Sequence, residues 1–405
     1  MRKLKPKKYN ILVITSWSFH DALIQSHTLP YLRIIHELHH EARIYLVTQE
    51  REGSDLSNET KEQLAGENIF LVSQRYYRFG LLKLASSIFQ LFQLFFLIFS
   101  KKITRIHCFC TPAGSLGYIL SRMTGRPLVL DSFEPHAESM VENGTWQKDG
   151  MAFKLLWMLE KKQVRRACHH IGIASGMDDY ALKKYGVKLN RVGLKPSCVD
   201  LDFFAYDAHA DQSFREKMGW AGKIVCVYAG KFGGIYLEDE VFGFFKEAYE
   251  FWGDRFRILL LTGESRSEIN RHAMRVGIPN HLFHVEFVPF QKIPKYMSVG
   301  NFAITPVKPV PSKRYCSPIK DGEYWSIGLP VVITEGISDD SDIIRIHNAG
   351  YVLPALDQRS YQDAVQKIDA LLQEDRQVLR ERIRKVAIKY RNFDIAVQEY
   401  KIVYP

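Results

Sequence analysis

Short apolar runs alternate along most of the chain with longer segments in which apolar residues recur at helical spacing. Such runs, bounded by polar or glycine-containing loops, are typical of buried parallel strands, and the segments between them are typical of helices. Strands are predicted at 9–15, 43–48, 105–110, 128–131, 170–174, 223–229, 257–262, 284–288, 302–305, 329–333 and 350–353. The repeated strand–helix order predicts an α/β protein with doubly wound sheets.

A polar stretch interrupts this alternation near the middle of the chain and predicts two domains. The 405 residues are enough for two domains of ordinary size. We expect a first domain at 1–197, a linker at 198–222 and a second domain at 223–385. Residues 386–405 are expected to form a C-terminal helix that packs back on the first domain.

The segment from Ser317 to Thr334 predicts a short helix that leads into a strand. Ser317 is a residue type that caps helix N-termini, and Pro318 suits the first helical position. Gly328 is expected just past the end of the helix, before the apolar run 329–333.

Two charged residues on this helix indicate a binding site. Lys320 falls in the first turn, where the helix macrodipole disfavours a cation unless an anion is bound there as well. Glu323 is three residues further on and therefore lies on the same face. Lys320 and free backbone N–H groups suit a diphosphate, and Glu323 suits ribose hydroxyls. The alternative, an amphipathic helix with a surface Lys–Glu pair, stays open.

A glycine-rich turn follows the first predicted strand of the second domain. It contains Gly230, Lys231, Gly233 and Gly234, and Gly263 follows the next strand. Glycines between a strand and a helix let the backbone approach a phosphate, and Lys231 adds positive charge. The turn does not match a Walker motif, so the turn alone is weak evidence for phosphate binding.

In the first domain, polar loops follow two predicted strands. Ser16 and Trp17 come after the first strand, and His136 and Glu138 come after the strand at 128–131. Ligands of doubly wound domains bind beyond the carboxyl ends of strands, so these residues are candidates for contact with a substrate. Ordinary connecting loops and a structural histidine are the alternatives.

The charge and cysteine content narrow the class of protein. The net charge of +10 includes a basic cluster at Arg2, Lys3, Lys5, Lys7 and Lys8. Nucleic acid, anionic lipid and phosphorylated ligands are all compatible with this excess, although no known nucleic-acid-binding module is visible. Six dispersed cysteines without paired C-x-x-C motifs predict free thiols in a reducing, cytoplasmic environment. No metal-ligand cluster is apparent, so we expect no metal.

The segment 81–99 is apolar over nearly the length that spans a bilayer. However, polar residues recur in this segment at helical spacing, which indicates an amphipathic helix instead. They are Lys83, Ser86, Ser87, Gln90 and Gln93. Two locations stay open, packing inside the domain or resting on a membrane surface with help from the basic N-terminus.

The segment with Lys320 and Glu323 resembles glycosyltransferase family 4, whose enzymes have the GT-B fold. The matching residues are Ser317-Pro, Lys320, Glu323-Tyr and the following Gly328-Leu-Pro-Val-Val. The Gly230-Lys231 turn, the strand at 285–288 and the segment 199–203 are also similar. The resemblance implies two Rossmann-like domains facing each other across a cleft. It also implies a retaining, metal-independent glycosyltransferase whose co-substrate is a nucleoside-diphosphate sugar, with no further cofactor.

By this resemblance, Lys231 and Lys320 hold the donor diphosphate, Glu323 the ribose, and His136 lies near the transferred sugar. The implied acceptor is a glycan, a lipid-linked sugar or a small molecule, in surface polysaccharide or glycolipid synthesis. Two positions depart from the family pattern: Tyr315 replaces a first glutamate, and Tyr236 replaces a second basic residue. A sugar-nucleotide epimerase, a nucleic-acid-binding protein and a catalytically inactive scaffold are the alternatives.

Overall fold

The computed structural model describes residues 8–51, 53, 56–77, 81–189 and 191–405, and for 81–85 it describes the backbone alone. The basic residues Arg2, Lys3, Lys5 and Lys7 lie outside this part of the chain. Within it, the strands form two wholly parallel sheets, one with seven strands and one with six.

The seven-stranded sheet has the order β3-β2-β1-β4-β5-β6-β7. Its strands are β1 (Asn10–Ile14), β2 (Arg43–Glu50), β3 (Ile69–Arg75), β4 (Arg105–Phe109), β5 (Leu128–Phe133), β6 (His169–Gly172) and β7 (Val192–Leu194). The six-stranded sheet has the order β10-β9-β8-β11-β12-β13. Its strands are β8 (Ile224–Ala229), β9 (Phe256–Leu261), β10 (Phe283–Glu286), β11 (Phe302–Thr305), β12 (Val331–Thr334) and β13 (Gly350–Leu353).

Helices connect the strands, as the alternating pattern predicts. In the first half they are α1 (Leu29–Leu38), α2 (Asn58–Gly66), α3 (Leu81–Ser100), α4 (Cys110–Thr124), α5 (His136–Glu142), α6 (Met151–Arg166) and α7 (Met177–Tyr180). In the second half they are α8 (Ala208–Met218), α9 (Asp239–Trp252), α10 (Arg266–Val276), α11 (Ile293–Met297), α12 (Ile319–Ile327), α13 (Asp340–His347), α14 (Gln358–Leu372), α15 (Arg376–Tyr390) and α16 (Phe393–Val403). The α/β prediction is therefore confirmed.

Each sheet reverses its strand order at one point, where ligands of such sheets bind. In the first sheet, β1 pairs with β2 on one side and β4 on the other. In the second sheet, β8 pairs with β9 and β11. The turn after β8 and the connection from β11 to α12 therefore both leave the second sheet at its reversal point.

The chain forms two compact units. The first comprises Met1–Val141, Trp146–Pro196 and Asp394–Pro405, and the second comprises Glu142–Thr145 and Ser197–Phe393. The prediction that residues 198–222 form a polar linker is wrong, because this segment contains helix α8 and belongs to the second unit. Asp207 caps that helix by accepting a hydrogen bond from the Ala210 N–H, and Phe214 packs against Trp220. Few apolar residues mark this helix, so its sequence resembles a polar connection.

The C-terminal boundary also differs from the prediction. Helix α15 continues through the expected break at 385/386 and ends at Tyr390. Helix α16 then belongs to the first unit, where its Tyr400 hydroxyl donates to the buried carboxylate of Asp131, 2.7 Å away.

Asp131 is the centre of a buried charge cluster in the first unit. His107 Nε2 lies 3.1 Å from one carboxylate oxygen, and Lys195 Nζ lies 3.1 Å from the other. The Asp131 and Lys195 side chains are both fully buried, and the Lys195 ammonium also lies 3.4 Å from the centroid of the Tyr31 ring. Burial raises the pKa of Asp131, but Lys195, His107 and Tyr400 together hold it well below its usual value. The cluster therefore joins three segments of the first unit and α16 through one carboxylate.

Helix α3 is amphipathic in an unexpected orientation. Gln90 is buried, and its amide donates to the Ser86 hydroxyl, so part of the predicted polar stripe faces inward. The exposed face instead carries Ile88, Phe89, Phe92, Phe96 and Phe99. Among the described residues, no helix has both the length and the apolar character needed to cross a bilayer.

Candidate functional site

The predicted nucleotide-binding helix is α12 in the second unit. Gly328 ends it in the left-handed conformation, with φ of +87°, as predicted. The prediction that Ser317 caps the helix is wrong, because Pro318 occupies the N-cap position and no side chain caps the helix. The Ser317 hydroxyl instead accepts hydrogen bonds from the Ser197 N–H and the Arg391 guanidinium. The first-turn N–H groups of α12 are thus left without a side-chain cap.

Lys320 extends from the first turn of α12 across the glycine turn after β8. A Cβ atom built on Gly230 would lie 2.7 Å from Lys320 Cε and 3.0 Å from the Tyr228 hydroxyl oxygen. A side chain at position 230 would therefore displace the flexible end of Lys320, so glycine at this position is what lets the lysine approach the turn. The structure therefore brings together two features that lie far apart in the sequence.

Tyr236 holds the Lys320 ammonium in place. Lys320 Nζ donates to the Tyr236 hydroxyl at 3.1 Å and lies 4.6 Å from the centroid of its ring. Tyr236 itself is fixed by a backbone bridge to Val307. A neutral partner orients the lysine without cancelling its charge, which leaves that charge available to an anion. Tyr236 is the residue that stands where the family pattern has a second cation.

The glycine turn presents a second cation. Lys231 is exposed, and its side chain makes no hydrogen bond or ion pair with the residues that the structure describes. The Tyr228 hydroxyl donates to the Lys231 carbonyl at 2.5 Å and so fixes the turn. Gly233 and Gly234 have φ of +75° and +62°, a conformation that favours glycine. Gly263 is exposed beyond the end of β9, the strand adjacent to β8.

Glu323 is the acidic group of this site. Its side chain is only 7% exposed, yet it accepts no hydrogen bond from any residue in the described part of the chain. Burial raises the pKa of Glu323 to about 7, although the Lys320 charge lowers it in part. A buried carboxylate without a hydrogen-bond donor is costly to the free protein, and ligand hydroxyls would supply the missing donors.

A cluster of buried ionisable side chains anchors the first turn of α12. Asp321 accepts from the Thr305 hydroxyl, and the Arg391 guanidinium donates to Asp340. Burial and the neighbouring Asp340 raise the pKa of Asp321 well above its usual value. Because Asp321 and Arg391 are buried, their role is to anchor the helix rather than to contact a ligand. Nothing in the sequence pattern indicated this layer.

The first-unit candidates lie beyond the carboxyl ends of strands, as expected. Ser16 and Trp17 follow β1, and His136 begins α5 after β5. His136 Nδ1 lies 3.2 Å from a Glu134 carboxylate oxygen, and the His136 side chain is 29% exposed. Glu138 accepts hydrogen bonds from the Tyr180 hydroxyl at 2.6 Å and from Lys184 at 2.8 Å. These partners give Glu138 a structural role, and its contact with an acceptor stays a prediction.

Two features near His136 were not predicted. Glu160 is fully buried and accepts hydrogen bonds from the Thr111 hydroxyl, the Ala137 N–H and the Tyr185 hydroxyl. It therefore fixes the start of the helix that carries His136, and burial raises its pKa to about 7. Ser132 has a left-handed φ of +51°, which strains a residue other than glycine.

The described residues contain no group of three or more His, Cys, Asp or Glu side chains arranged to bind a metal ion. The Asp200 carboxylate, part of a D-x-D sequence, instead accepts from the N–H groups of Asp202 and Phe203.

No protein-family model matches the sequence, and a comparison with curated proteins gives no match. Solved structures do resemble the chain. Sucrose-phosphate synthase from Thermosynechococcus elongatus is 14% identical, over 98% of both chains, with a TM-score of 0.75. HepE of Anabaena, solved in complex with UDP, is 13% identical over 98% of this chain and 99% of HepE, with a TM-score of 0.69. WaaG, a glycosyltransferase involved in lipopolysaccharide biosynthesis, is 14% identical over 97% of this chain and 99% of WaaG, with a TM-score of 0.70.

These similarities establish the class of fold. The chain has the α/β GT-B fold, with one parallel sheet in each unit. The more specific assignment to glycosyltransferase family 4 stays a prediction.

Proposed function

We propose that the protein is a retaining glycosyltransferase that uses a nucleoside-diphosphate sugar as donor. The observation that carries this proposal is the arrangement on α12: Lys320 lies over Gly230 without a carboxylate partner, one turn from the buried, unpartnered Glu323. A diphosphate matches the lysine and the uncapped N–H groups, and ribose hydroxyls match the carboxylate. HepE, which has the same fold, was solved with UDP-glucose as well as UDP.

The proposed chemistry follows from the charges at this site. Cleavage of the sugar–phosphate bond places negative charge on the leaving diphosphate and positive charge on the sugar carbon. Lys231, Lys320 and the start of α12 stabilise the diphosphate, so the step needs no metal ion. In a retaining transfer, the leaving phosphate helps to remove the acceptor proton. His136 acts beside the transferred sugar, and Ser16, Trp17 and Glu138 belong to the acceptor side.

We further propose an acceptor from surface polysaccharide or glycolipid synthesis, in line with the biosynthetic role of WaaG. Such an acceptor suits a protein at the cytoplasmic face of a membrane. The support in this chain is the exposed aromatic face of α3, which is followed by the exposed Lys101 and Lys102. Aromatic side chains enter the lipid interface, and lysines bind anionic headgroups.

The donor is tested by a thermal-shift screen of UDP, GDP and ADP, followed by turnover of the matching nucleotide sugars. A ligand raises the melting temperature only if it binds the folded state. One of the three nucleotides should therefore raise the melting temperature more than the other two. Lys320→Ala should lose this shift, and Lys385→Ala, which removes an exposed lysine from α15, should keep it. If none of the three nucleotides stabilises the wild type, the proposal is wrong.

Turnover separates the alternative functions. A glycosyltransferase consumes the donor faster when an acceptor is added, whereas an epimerase converts it without any acceptor. Binding without turnover would indicate an inactive scaffold, and steeply salt-dependent binding to DNA or RNA would indicate a nucleic-acid-binding protein.

Membrane contact is tested by co-sedimentation with vesicles containing phosphatidylglycerol. Phe92→Ser/Phe96→Ser should reduce the bound fraction several-fold, because two exposed aromatic rings are lost from α3. Met274→Ser is the control, since Met274 is 73% exposed on the second unit. Equal binding by all three proteins would rule out α3 as the contact.

A further inference from the structure

The first unit contains a cavity of about 410 Å³ that the proposed transfer reaction does not use. It lies at the amino ends of β6 and β7, between the end of α6 and the last turns of α16. The candidate residues of this unit follow the carboxyl ends of β1 and β5. They therefore lie at the opposite ends of the strands of the same parallel sheet. Its volume falls within the range of small-molecule sites.

Three cations line the cavity: Arg165 from α6, and Lys188 and Arg191 from the segment before β7. All three are exposed, and Lys188 and Arg191 make no hydrogen bond or ion pair at contact distance with any described residue. Glu399 of α16 is the acidic residue among the lining side chains. Burial raises the pKa of Glu399, while the charge of Arg191 lowers it. The cavity therefore carries an excess of positive charge.

Basic residues at a helix end often serve only to balance the helix dipole. That explanation fails here for two reasons. Lys188 and Arg191 do not belong to α6, and two carbonyls in the last turn of α6 already have hydrogen-bond partners. His170 Nε2 lies 2.9 Å from the Val164 carbonyl, and the Ala167 N–H donates to the Gln163 carbonyl at 2.9 Å.

Part of the remaining wall is apolar, and Cys168, His169 and His170 line the rest of it. Ile171, Val187 and Ile402 contribute aliphatic surface to the same cavity that the three cations line. A ligand that matches both parts has an anionic group and a compact apolar body. Several cations around one anion favour phosphate, whose oxygens can accept hydrogen bonds from arginine and lysine together.

We propose that this cavity is a second binding site, specific for a small organic phosphate. It is independent of the nucleotide site proposed on α12, because every residue that lines it belongs to the first unit. Lys188 and Arg191 bind the phosphate, Arg165 adds to the positive field, and the aliphatic wall holds the organic group.

The test is calorimetric titration of phenyl phosphate into the full-length protein without UDP and in excess UDP, with benzyl alcohol as the uncharged control compound. The titration is repeated in Lys231→Ala/Lys320→Ala, so that failure of the donor proposal leaves this test intact. Phenyl phosphate should bind in both proteins, and benzyl alcohol should not bind. Absence of phenyl phosphate binding, or its loss in excess UDP, would overturn the proposal.

Three variants locate the site. Lys188→Ala/Arg191→Ala should weaken phenyl phosphate binding about tenfold or more, since charge-assisted hydrogen bonds are lost. Lys183→Ala, which removes a nearby exposed lysine outside the cavity, should bind as the wild type does. Glu399→Gln should strengthen binding, because it removes the opposing charge and keeps an acceptor for the Leu194 N–H. Equal losses in Lys183→Ala and the double variant, or weaker binding by Glu399→Gln, would contradict the assignment.

Discussion

At the scale of single residues, the proposed nucleotide site depends on how Lys320 is held. A cation in the first turn of a helix is unfavourable, and the structure compensates with a hydroxyl and an aromatic face from Tyr236 rather than with a carboxylate. Gly230 supplies the space for this arrangement. The lysine is therefore oriented before any ligand arrives, which reduces the entropy lost on binding.

Tyr236→Phe tests this role, because it keeps the ring and removes the hydroxyl that orients Lys320. We expect nucleoside diphosphate affinity to fall about fivefold, the typical effect of one lost hydrogen bond. Calorimetry on the variant measures the change, with Tyr249→Phe on α9 as the control. If Tyr236→Phe binds as tightly as the wild type, Tyr236 does not position the lysine.

Glu323 predicts a pH dependence of binding. Its pKa of about 7 in the free protein means that the carboxylate, the better acceptor for ribose hydroxyls, is lost as the pH falls through that value. Nucleoside diphosphate affinity should therefore fall as the pH is lowered from about one unit above this pKa to about one unit below it, and the Glu323→Gln variant should show less of this dependence. Titrations across this range provide the measurement. Identical pH profiles for both proteins would contradict the role of Glu323.

At the scale of elements, the sequence predicted what is local and missed what is distant. Besides the strand pattern, the clearest success is α12, where Lys320 and the helix-ending Gly328 lie within one short segment. The contact between Lys320 and Tyr236 spans 84 residues, and the one between Asp131 and Tyr400 spans 269. Such contacts depend on tertiary packing, and the local spacing of apolar residues gives no information about tertiary packing. Helix α8 was missed for a different reason, since its surface is mostly polar.

The buried carboxylate of Asp131 holds α16 on the first unit, so removing it should destabilise the protein. Asp131→Ala leaves Lys195 buried without a counter-charge, so we expect the free energy of unfolding to fall by about 3–5 kcal/mol. Because the pKa of Asp131 is lowered in the folded state, its stabilising effect is present above the unfolded pKa and is lost in acid. Urea unfolding at neutral pH measures the change.

The double variant Asp131→Ala/Lys195→Met, compared with Asp131→Ala and Lys195→Met alone, provides the matched control. It removes both charges together, so it should be less destabilised than the sum of the two single changes. Additive losses would show that the two side chains do not interact, and would contradict the cluster described around Asp131.

At the scale of the whole molecule, two sheets of similar construction carry different chemistry. The second unit presents the cations and the carboxylate suited to a nucleotide, whereas the first presents His136, an aromatic helix face and the cationic cavity. The strand–helix order was sufficient to predict the α/β class, and the solved structures establish the GT-B fold. The sugar, the base and the acceptor depend on side-chain contacts that the fold alone does not determine.

Calorimetric titration of the stabilising nucleoside diphosphate into the wild type, Lys320→Ala and Glu323→Ala tests most directly whether α12 is the nucleotide site. Each variant should bind at least about tenfold more weakly, because each loses charge-assisted hydrogen bonds, while its circular dichroism spectrum stays that of the folded protein. Unchanged affinity in both variants would contradict the assignment of α12 as the nucleotide site.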